Sequence, residues 1–287
     1  GGFVGSELFN FFKKKKNPVY GTISKSKNKK SKVKKKIKDS KIIKCDLSKP
    51  REVEKLITKV KPKVIYHFAA LADHNFSEKN KKLCKKNNSQ ITKNIIKYID
   101  KDAKFIFLSS DKVYSKNPKK SPENTNLEPL GFLAKEKIIC EKIIENKLNK
   151  YFILRLPIVH YNGKDDKNST IDNFLYQLRR RKKISVFRNV KRSFLKIDEF
   201  NIFLEILLSN NKYGIYNVGS RLFSYTNRIK KLSQIYKINK KNKVIGTMGK
   251  IQPLIQDFNT TKIKKKFKIN FSKKISKIKD LKLIIFE

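Results

Sequence analysis

Acidic residues are scarce in this chain: 24 Asp and Glu stand against 71 Lys and Arg in 287 residues, a formal net charge of +47. Cysteine is scarcer still. Cys45, Cys84 and Cys140 lie far apart, without the CxxC or Cys/His spacing of a metal site, so no metal is expected. An odd, scattered set suits reduced thiols in a cytoplasmic protein. No apolar run reaches the ~18 residues that a membrane span needs. Glu7 and Asn10 interrupt the apolar residues near the start, which is not the pattern of a secretory signal. An initiator Met is missing as well. The chain opens Gly1-Gly2 as if within a motif, and a preceding segment that carries a first strand is expected.

The shortage of acids bears on partners. A strongly basic chain suits nucleic acid, an anionic membrane surface or a phosphorylated ligand. Here the excess is mostly Lys, accompanied by abundant Asn and Ile and spread along the whole sequence. A nucleic-acid binder more often concentrates Arg and aromatic residues on one element. Compositional drift is therefore the favoured reading, and no nucleic-acid partner is expected. The positive field would still help to attract a nucleotide.

Hydrophobic residues make up 38% of the chain, enough for a sizeable core in one large domain or two modest ones. Apolar periodicity predicts short strands at 19–24, 41–45, 64–68, 104–108 and 151–156, alternating with helices at 7–12, 50–60 and 88–99. Each strand ends on small or polar residues: Ser24, Asp46-Leu47, Ala69-Ala70 and Ser109-Ser110-Asp111. This alternation predicts an α/β fold, a Rossmann-like doubly wound parallel sheet with its ligand at the strand C-termini. Beyond residue 160 the pattern loosens. Helices are expected at 169–181, 197–208 and 226–236, strands at 184–187 and 213–219, and helical spacing recurs at Ile275, Ile278, Leu281 and Ile284. The expected division is a dinucleotide-binding domain over 1–160 and a smaller mixed α/β substrate lobe over 161–287.

Three stretches suggest chemistry. Gly2 and Gly5 have the spacing of the last two glycines in GxxGxxG, where backbone approaches a pyrophosphate. The strand at 19–24 runs into Ser24-Lys25-Ser26-Lys27, with no acid to hold ribose hydroxyls and two cations that suit a 2′-phosphate. That is a mild preference for NADP over NAD. The third stretch is a buried strand ending in Ser110 and Asp111, followed by a polar loop and a helix that carries Lys135 and Lys137. Hydroxyls and a carboxylate facing a lysine-bearing helix make a catalytic arrangement.

Taken in order, Gly2-Phe3-Val4-Gly5-Ser6, Asp46-Leu47, Phe68-Ala69-Ala70, Asn88, Ser109-Ser110-Asp111-Lys112-Val113-Tyr114 and Lys137 with Glu141 resemble the extended short-chain dehydrogenase/reductase superfamily. The likeness is closest to its dTDP-4-dehydrorhamnose reductase group of sugar-nucleotide-binding proteins. It continues through Leu154-Arg155-Leu156-Pro157, Arg192-Ser193-Phe194 with Asp198, Gly214 to Gly219, and Asp257 with Thr260-Thr261-Lys262. The resemblance implies an NAD(P)H-dependent reductase of a nucleotide-linked 4-keto-6-deoxy sugar, serving surface-polysaccharide precursor synthesis. Gly2, Gly5, Ser24, Lys25, Asp46, Leu47, Ala69, Ala70 and Asn88 would then belong to the cofactor cleft. Ser110 would hydrogen-bond the reacting carbonyl, and Lys137 would hold the nicotinamide ribose and lower the pKa of a neighbouring phenol. Asp111 and Arg192 would contact substrate, although Asp46 is equally placed to cap the next segment and Arg192 is one base among many. A homodimer is a further expectation.

The resembling group carries a Tyr four residues before its Lys, on the same helical face. Counting back from Lys137 gives Leu133, with Pro129 and Glu141 supporting the register. Leucine transfers no proton. Tyr114 and Tyr161 are candidate substitutes. The alternatives are a cofactor- and nucleotide-sugar-binding homologue impaired in turnover, or a nucleotide-sugar epimerase or dehydratase.

Overall fold

A computed structural model describes residues 2–24, 41–114, 120–161, 169–180, 182–238, 244–248 and 254–271. Two compact units interleave along the chain. The first comprises Gly1–Val113, Pro129–Leu154 and Asn211–Ile215, and the second Tyr114–Glu128, Arg155–Asn210 and Tyr216–Glu287.

The first unit opens with α1 (Phe3–Lys14), β1 (Gly21–Ile23), β2 (Ile42–Lys44), α2 (Pro50–Val60) and β3 (Val64–His67). Two short helices follow, α3 (His74–Lys79) and α4 (Lys81–Lys85). A π-helical turn, Lys86–Gln90, leads into α5 (Ile91–Tyr98). Next come β4 (Lys104–Ser110), a 3₁₀ turn (Asp111–Val113), α6 (Phe132–Lys147) and β5 (Tyr151–Leu156), whose last two residues belong to the second unit. The second unit holds β6 (Ile158–His160), α7 (Thr170–Arg179), β7 (Ile184–Phe187), β8 (Lys191–Arg192), β9 (Phe194–Lys196) and α8 (Ile197–Ile206). The strand β10 (Gly214–Asn217) begins in the first unit, and β11 (Phe223–Ser224), α9 (Tyr225–Ile235), β12 (Val244–Thr247) and α10 (Thr261–Phe267) complete the second.

The Rossmann-like alternation expected from the sequence is present. A four-stranded sheet runs in the order β10-β5-β4-β3. In it β3 and β4 are parallel, with Val64 opposite Lys104 and His67 opposite Phe107. A separate parallel pair joins β1 to β2, with Gly21 opposite Ile42. α1 packs on both groups. Its Phe9 ring lies within 3.2 Å of where a Cβ on Gly21 would sit, and its Phe12 ring is 5.8 Å from Tyr66 of β3. The strand β4 is covered on both faces, which is why its Phe105-Ile106-Phe107 run is apolar without alternation. Phe105 and Phe107 meet Val53 of α2, Ile91 and Ile95 of α5 and Ile144 of α6 in one core cluster.

Pro50 starts α2 at a position where the missing N–H costs nothing, and Lys61 ends it in the left-handed conformation. α3 and α4 were not foreseen. They are six and five residues long, too short to show a period, and Asn80 at φ −129° breaks one from the other. The expected helix at 88–99 is instead a π turn followed by α5. The tail at 275–284 lies outside the described residues.

In the second unit an apolar cluster joins Ile171 and Leu175 of α7, Ile184 of β7, Phe194 of β9 and Ile229 of α9. Beside this core, polar groups are buried in hydrogen-bonded sets, although Arg228 Nε has no hydrogen-bond partner. Arg155, 2% exposed, donates from Nη1 to the Tyr114 hydroxyl at 2.8 Å and to the Glu123 carbonyl at 2.9 Å. Tyr114 in turn donates to Asn217 Oδ1 at 2.7 Å. The Asn217 amide donates to the carbonyls of Ser121 and Asn259. A second set pairs Arg228 Nη2 with His160 Nε2 at 2.7 Å, while His160 Nδ1–H donates to the Tyr161 carbonyl at 2.5 Å. Tyr114→Phe removes one hydroxyl that serves two buried partners. It is expected to lower stability by about 1–3 kcal/mol in urea unfolding, the cost of buried polar groups left unmatched.

Candidate functional site

The first unit gathers its chemically distinctive residues at the C-terminal ends of its strands. The strand β4 delivers Ser109, Ser110 and Asp111 to one end of the sheet, and the chain turns there in the 3₁₀ segment. Ser110 Oγ lies 3.3 Å from Asp111 Oδ1 and accepts from the Lys112 main-chain N–H at 3.2 Å. The Lys112 carbonyl accepts from Leu130 N at 2.9 Å, which ties this turn to the loop that enters α6.

That loop ends at Gly131, which has φ +89° at the head of α6. Only glycine suits the position. A Cβ there would also come within 2.5 Å of Glu78 Oε1, the acceptor for the Phe132 N–H. Glu78 thus does for α6 what an N-cap side chain normally does, from a different helix. Leu133 follows, 5% exposed, and Lys137 stands one turn further along. The Lys137 ammonium donates to the Leu108 carbonyl at 2.7 Å and lies 4.6 Å from the centre of the Phe107 ring. Burial pushes its pKa below the usual lysine value, partly opposed by Cys140, Glu141 and Cys84. The structure therefore brings Ser110 and Lys137 to the same strand end, as the spacing predicts. The side chain expected to be a phenol is an aliphatic one in the protein interior.

Both tyrosines named from the sequence are buried. Tyr114 is fully buried and held by Arg155 and Asn217, and burial pushes its pKa up. Tyr161 is 6% exposed, with its main-chain N–H on Asp172 Oδ2.

Behind Lys137 lies a polar cluster. Asn88, at the centre of the π turn, donates to the Cys84 carbonyl at 2.8 Å, and its Oδ1 is buried with no hydrogen-bond partner. Single π turns inside helices recur at functional sites. Thr92 Oγ1 donates to the Asn88 carbonyl at 3.0 Å and lies 2.9 Å from His67 Nε2 and 3.3 Å from Cys140 Sγ. With the Thr92 hydrogen directed at Asn88, His67 carries its proton on Nε2, and Nδ1 is left without a partner. Burial, then the Lys137 charge, lowers the His67 pKa to about 3, and burial raises that of Cys140 to about 11.

The other predicted residues fall in this unit, with two exceptions. Gly2 is the N-cap of α1, with no side-chain cap and no acid in the first turn. A Cβ on Gly2 or on Gly5 would meet no atom within 4 Å, so packing among the described residues does not demand a glycine at either place. The uncapped N–H groups of a 12-residue helix beside open space fit a pyrophosphate. Asp46 Oδ1 accepts from Ser48 N and Oγ, which lowers its pKa, and the Leu47 carbonyl accepts from Asn94. Ser24 follows β1, and Ala69 and Ala70 come after β3. Lys25 lies outside the described residues. Arg192 belongs to the second unit, where its guanidinium donates to the carbonyls of Lys191 and Leu254.

The profile of the NAD dependent epimerase/dehydratase family matches residues 1–219. The chain belongs to that family. Among solved structures, the family fold is shared with dTDP-4-dehydrorhamnose reductase from Bacillus anthracis in complex with NADP. The identity is 18% and the TM-score 0.79, over 94% of this chain and 91% of that one. UDP-glucose 4-epimerase from Thermotoga maritima, with UDP-glucose, gives 19% identity and TM-score 0.79 over 96% and 92%. UDP-N-acetylglucosamine 4-epimerase from Methanobrevibacter ruminantium M1, in complex with UDP-N-acetylmuramic acid, gives 22% and 0.76 over 92% and 88%. No curated protein matches by sequence. The family supplies nucleotide-sugar-modifying enzymes, and both reductases and epimerases share this fold. Among the described residues no helix is long and apolar enough to cross a membrane, and no cluster of His, Cys, Asp and Glu could hold a metal ion.

The His67 environment has a consequence for stability. The unfolded chain takes up a proton near pH 6.5, whereas the folded one resists until about 3. The unfolded state therefore binds more protons in that window, and stability falls as pH drops from 6.5 toward 3. The slope is up to about 1.4 kcal/mol per pH unit for this group. Urea unfolding of His67→Gln across that window is expected to show a flatter pH dependence than the unsubstituted protein.

Proposed function

We propose that this protein is an NAD(P)H-dependent reductase acting at C4 of a nucleotide-linked 4-keto-6-deoxy sugar, of the dTDP-4-dehydrorhamnose type. The observation that carries the reading is that Lys137 reaches the end of β4, where its ammonium donates to the Leu108 carbonyl two residues before Ser110. When bound, the nicotinamide cofactor supplies the hydride. Gly2 and Gly5 would face its pyrophosphate, while Asp46, Leu47, Ala69, Ala70 and Asn88 would line its cleft. Ser24 and Lys25 would sit near the adenosine ribose, with Lys25 and Lys27 favouring a 2′-phosphate. Ser110 polarises the substrate carbonyl, Asp111 contacts the sugar, and Lys137 holds the nicotinamide ribose. Arg192, in the second unit, would contact the substrate phosphates. A net charge of +47 favours nucleotide ligands electrostatically. Three buried free thiols fit a reducing, cytoplasmic setting.

Oxidation of NADPH and NADH in the presence of dTDP-4-keto-6-deoxy-hexose is expected, followed by the loss of nicotinamide absorbance. Ser110→Ala removes one donor to the developing oxyanion and should lower kcat/KM by about 10²–10³. C4 epimerisation of a UDP-hexose with no net cofactor oxidation would instead identify an epimerase.

A second reading is favoured by Leu133, which lies on the Lys137 face of α6 and transfers no proton. In it the chain binds cofactor and nucleotide sugar without turnover. Isothermal titration separates the two, because binding of NADPH and dTDP with no oxidation of the 4-keto sugar leaves only the second.

A further inference from the structure

With leucine at position 133, the carbonyl oxygen that becomes a hydroxyl needs another source for its proton. The hydrogen bonds of Ser110 bear on this directly. A serine hydroxyl has one hydrogen to give and two lone pairs with which to accept. One lone pair of Ser110 Oγ is taken by the Lys112 main-chain N–H, at 3.2 Å. The Asp111 carboxyl stands beside the same oxygen, with Oδ1 at 3.3 Å. Asp111 is 6% exposed and opens the 3₁₀ turn after β4, so consecutive residues hold the two groups together at the strand end.

What passes between them depends on the charge of Asp111. As a carboxylate it can only accept, and it claims the single hydrogen of Ser110. Ser110 then offers a carbonyl oxygen nothing but a lone pair. As a carboxylic acid Asp111 donates to Ser110 Oγ instead. Both lone pairs of Ser110 are then filled, one by the Lys112 N–H and one by the acid, and its own hydrogen is free for the carbonyl. The neutral acid also spares the interior an unpaired charge.

We propose that Asp111, as a carboxylic acid, is the source of the proton for the substrate carbonyl oxygen and passes it through the Ser110 hydroxyl. The inference rests on the reductase reading. In the balanced step the carbonyl carbon gains a hydride, with its electron pair, from the dihydronicotinamide, which is oxidised to the nicotinamide cation. The carbonyl π pair moves onto oxygen. That oxygen takes the Ser110 hydrogen as a proton, and Ser110 Oγ takes the proton of Asp111. The sugar leaves as a secondary alcohol, Ser110 is a hydroxyl again, and the Asp111 carboxylate regains its proton from solvent. The Lys112 N–H stays on Ser110 Oγ and steadies the negative charge that passes over it.

Two measurements test this, both following NADPH absorbance in a single turnover with dTDP-4-keto-6-deoxy-hexose. The first compares mixtures of H₂O and D₂O. Two protons move together in the relay, so the rate should fall along a curve as the D₂O fraction rises. A straight line means one proton in flight and overturns the proposal. The second uses Asp111→Asn, whose amide still donates to Ser110 Oγ but has no proton to release. Its rate should be lower by about 10²-fold or more, in protein that calorimetry shows to bind NADPH. A rate within about threefold of the unsubstituted protein overturns the proposal. So does an inert unsubstituted protein whose Leu133→Tyr variant oxidises NADPH, although the reductase reading then stands. If NADPH binds and neither protein oxidises it with a 4-keto sugar, the reductase reading falls and this proposal with it.

Discussion

A buried lysine ammonium needs partners, and at Lys137 these are one carbonyl and one aromatic face. Leu108 and Phe107 provide both from consecutive residues of β4. Leaving that charge unmatched would cost several kcal/mol. The requirement fixes the rotation of α6 about its axis and its height along the strand. Ser110, two residues beyond Leu108, is placed by the same contact. The flanking core follows as well. Phe107 presents its ring face to Lys137 and lies beside His67, at 5.4 Å between ring centres. His67 is held neutral by burial and by the very charge that Phe107 helps to accommodate.

Much of this was legible in the sequence, for identifiable reasons. The β4 strand is a continuous apolar run because both faces are covered, and its small polar end is abrupt. Lys137 stands at a fixed interval beyond it, within a 16-residue helix. The absence of a phenol was visible too, since it needs only a count of four. What the sequence concealed was short or non-local. Helices of five and six residues have no readable period, and the π turn has no signature among Lys86-Asn87-Asn88-Ser89-Gln90. Tyr114 read as a spare phenol, whereas its hydroxyl is fully occupied inside the second unit.

The scarcity of acids acquires meaning in the folded protein. Asp111, Glu136, Glu141 and Asp172 are buried, so several of the few carboxylates do not relieve the surface charge. The second unit adds two buried guanidinium groups. Arg155 is matched by oxygen acceptors, while Arg228 relies on His160 and on the faces of Phe194 and Phe223, at 5.6 and 5.5 Å. Such polar interiors specify one arrangement closely, because a half-satisfied network is costly in a low-dielectric setting. Outside, the lysine excess repels itself and should make stability depend on salt.

The π turn at Lys86–Gln90 implies something about the length of this segment. A π turn is equivalent to one residue inserted into an α-helix, and α4 and α5 on its two sides are therefore out of phase with a single regular helix. Removing one residue there would allow regular α-helical pairing from Lys81 to Tyr98. It would also rotate α5 by about a hundred degrees, the turn per residue of an α-helix, and carry Thr92 away from His67 and Cys140. The segment can have an unbroken helix or the Asn88 cluster, but not both. Its length in residues is thus as much a part of the site as any side chain.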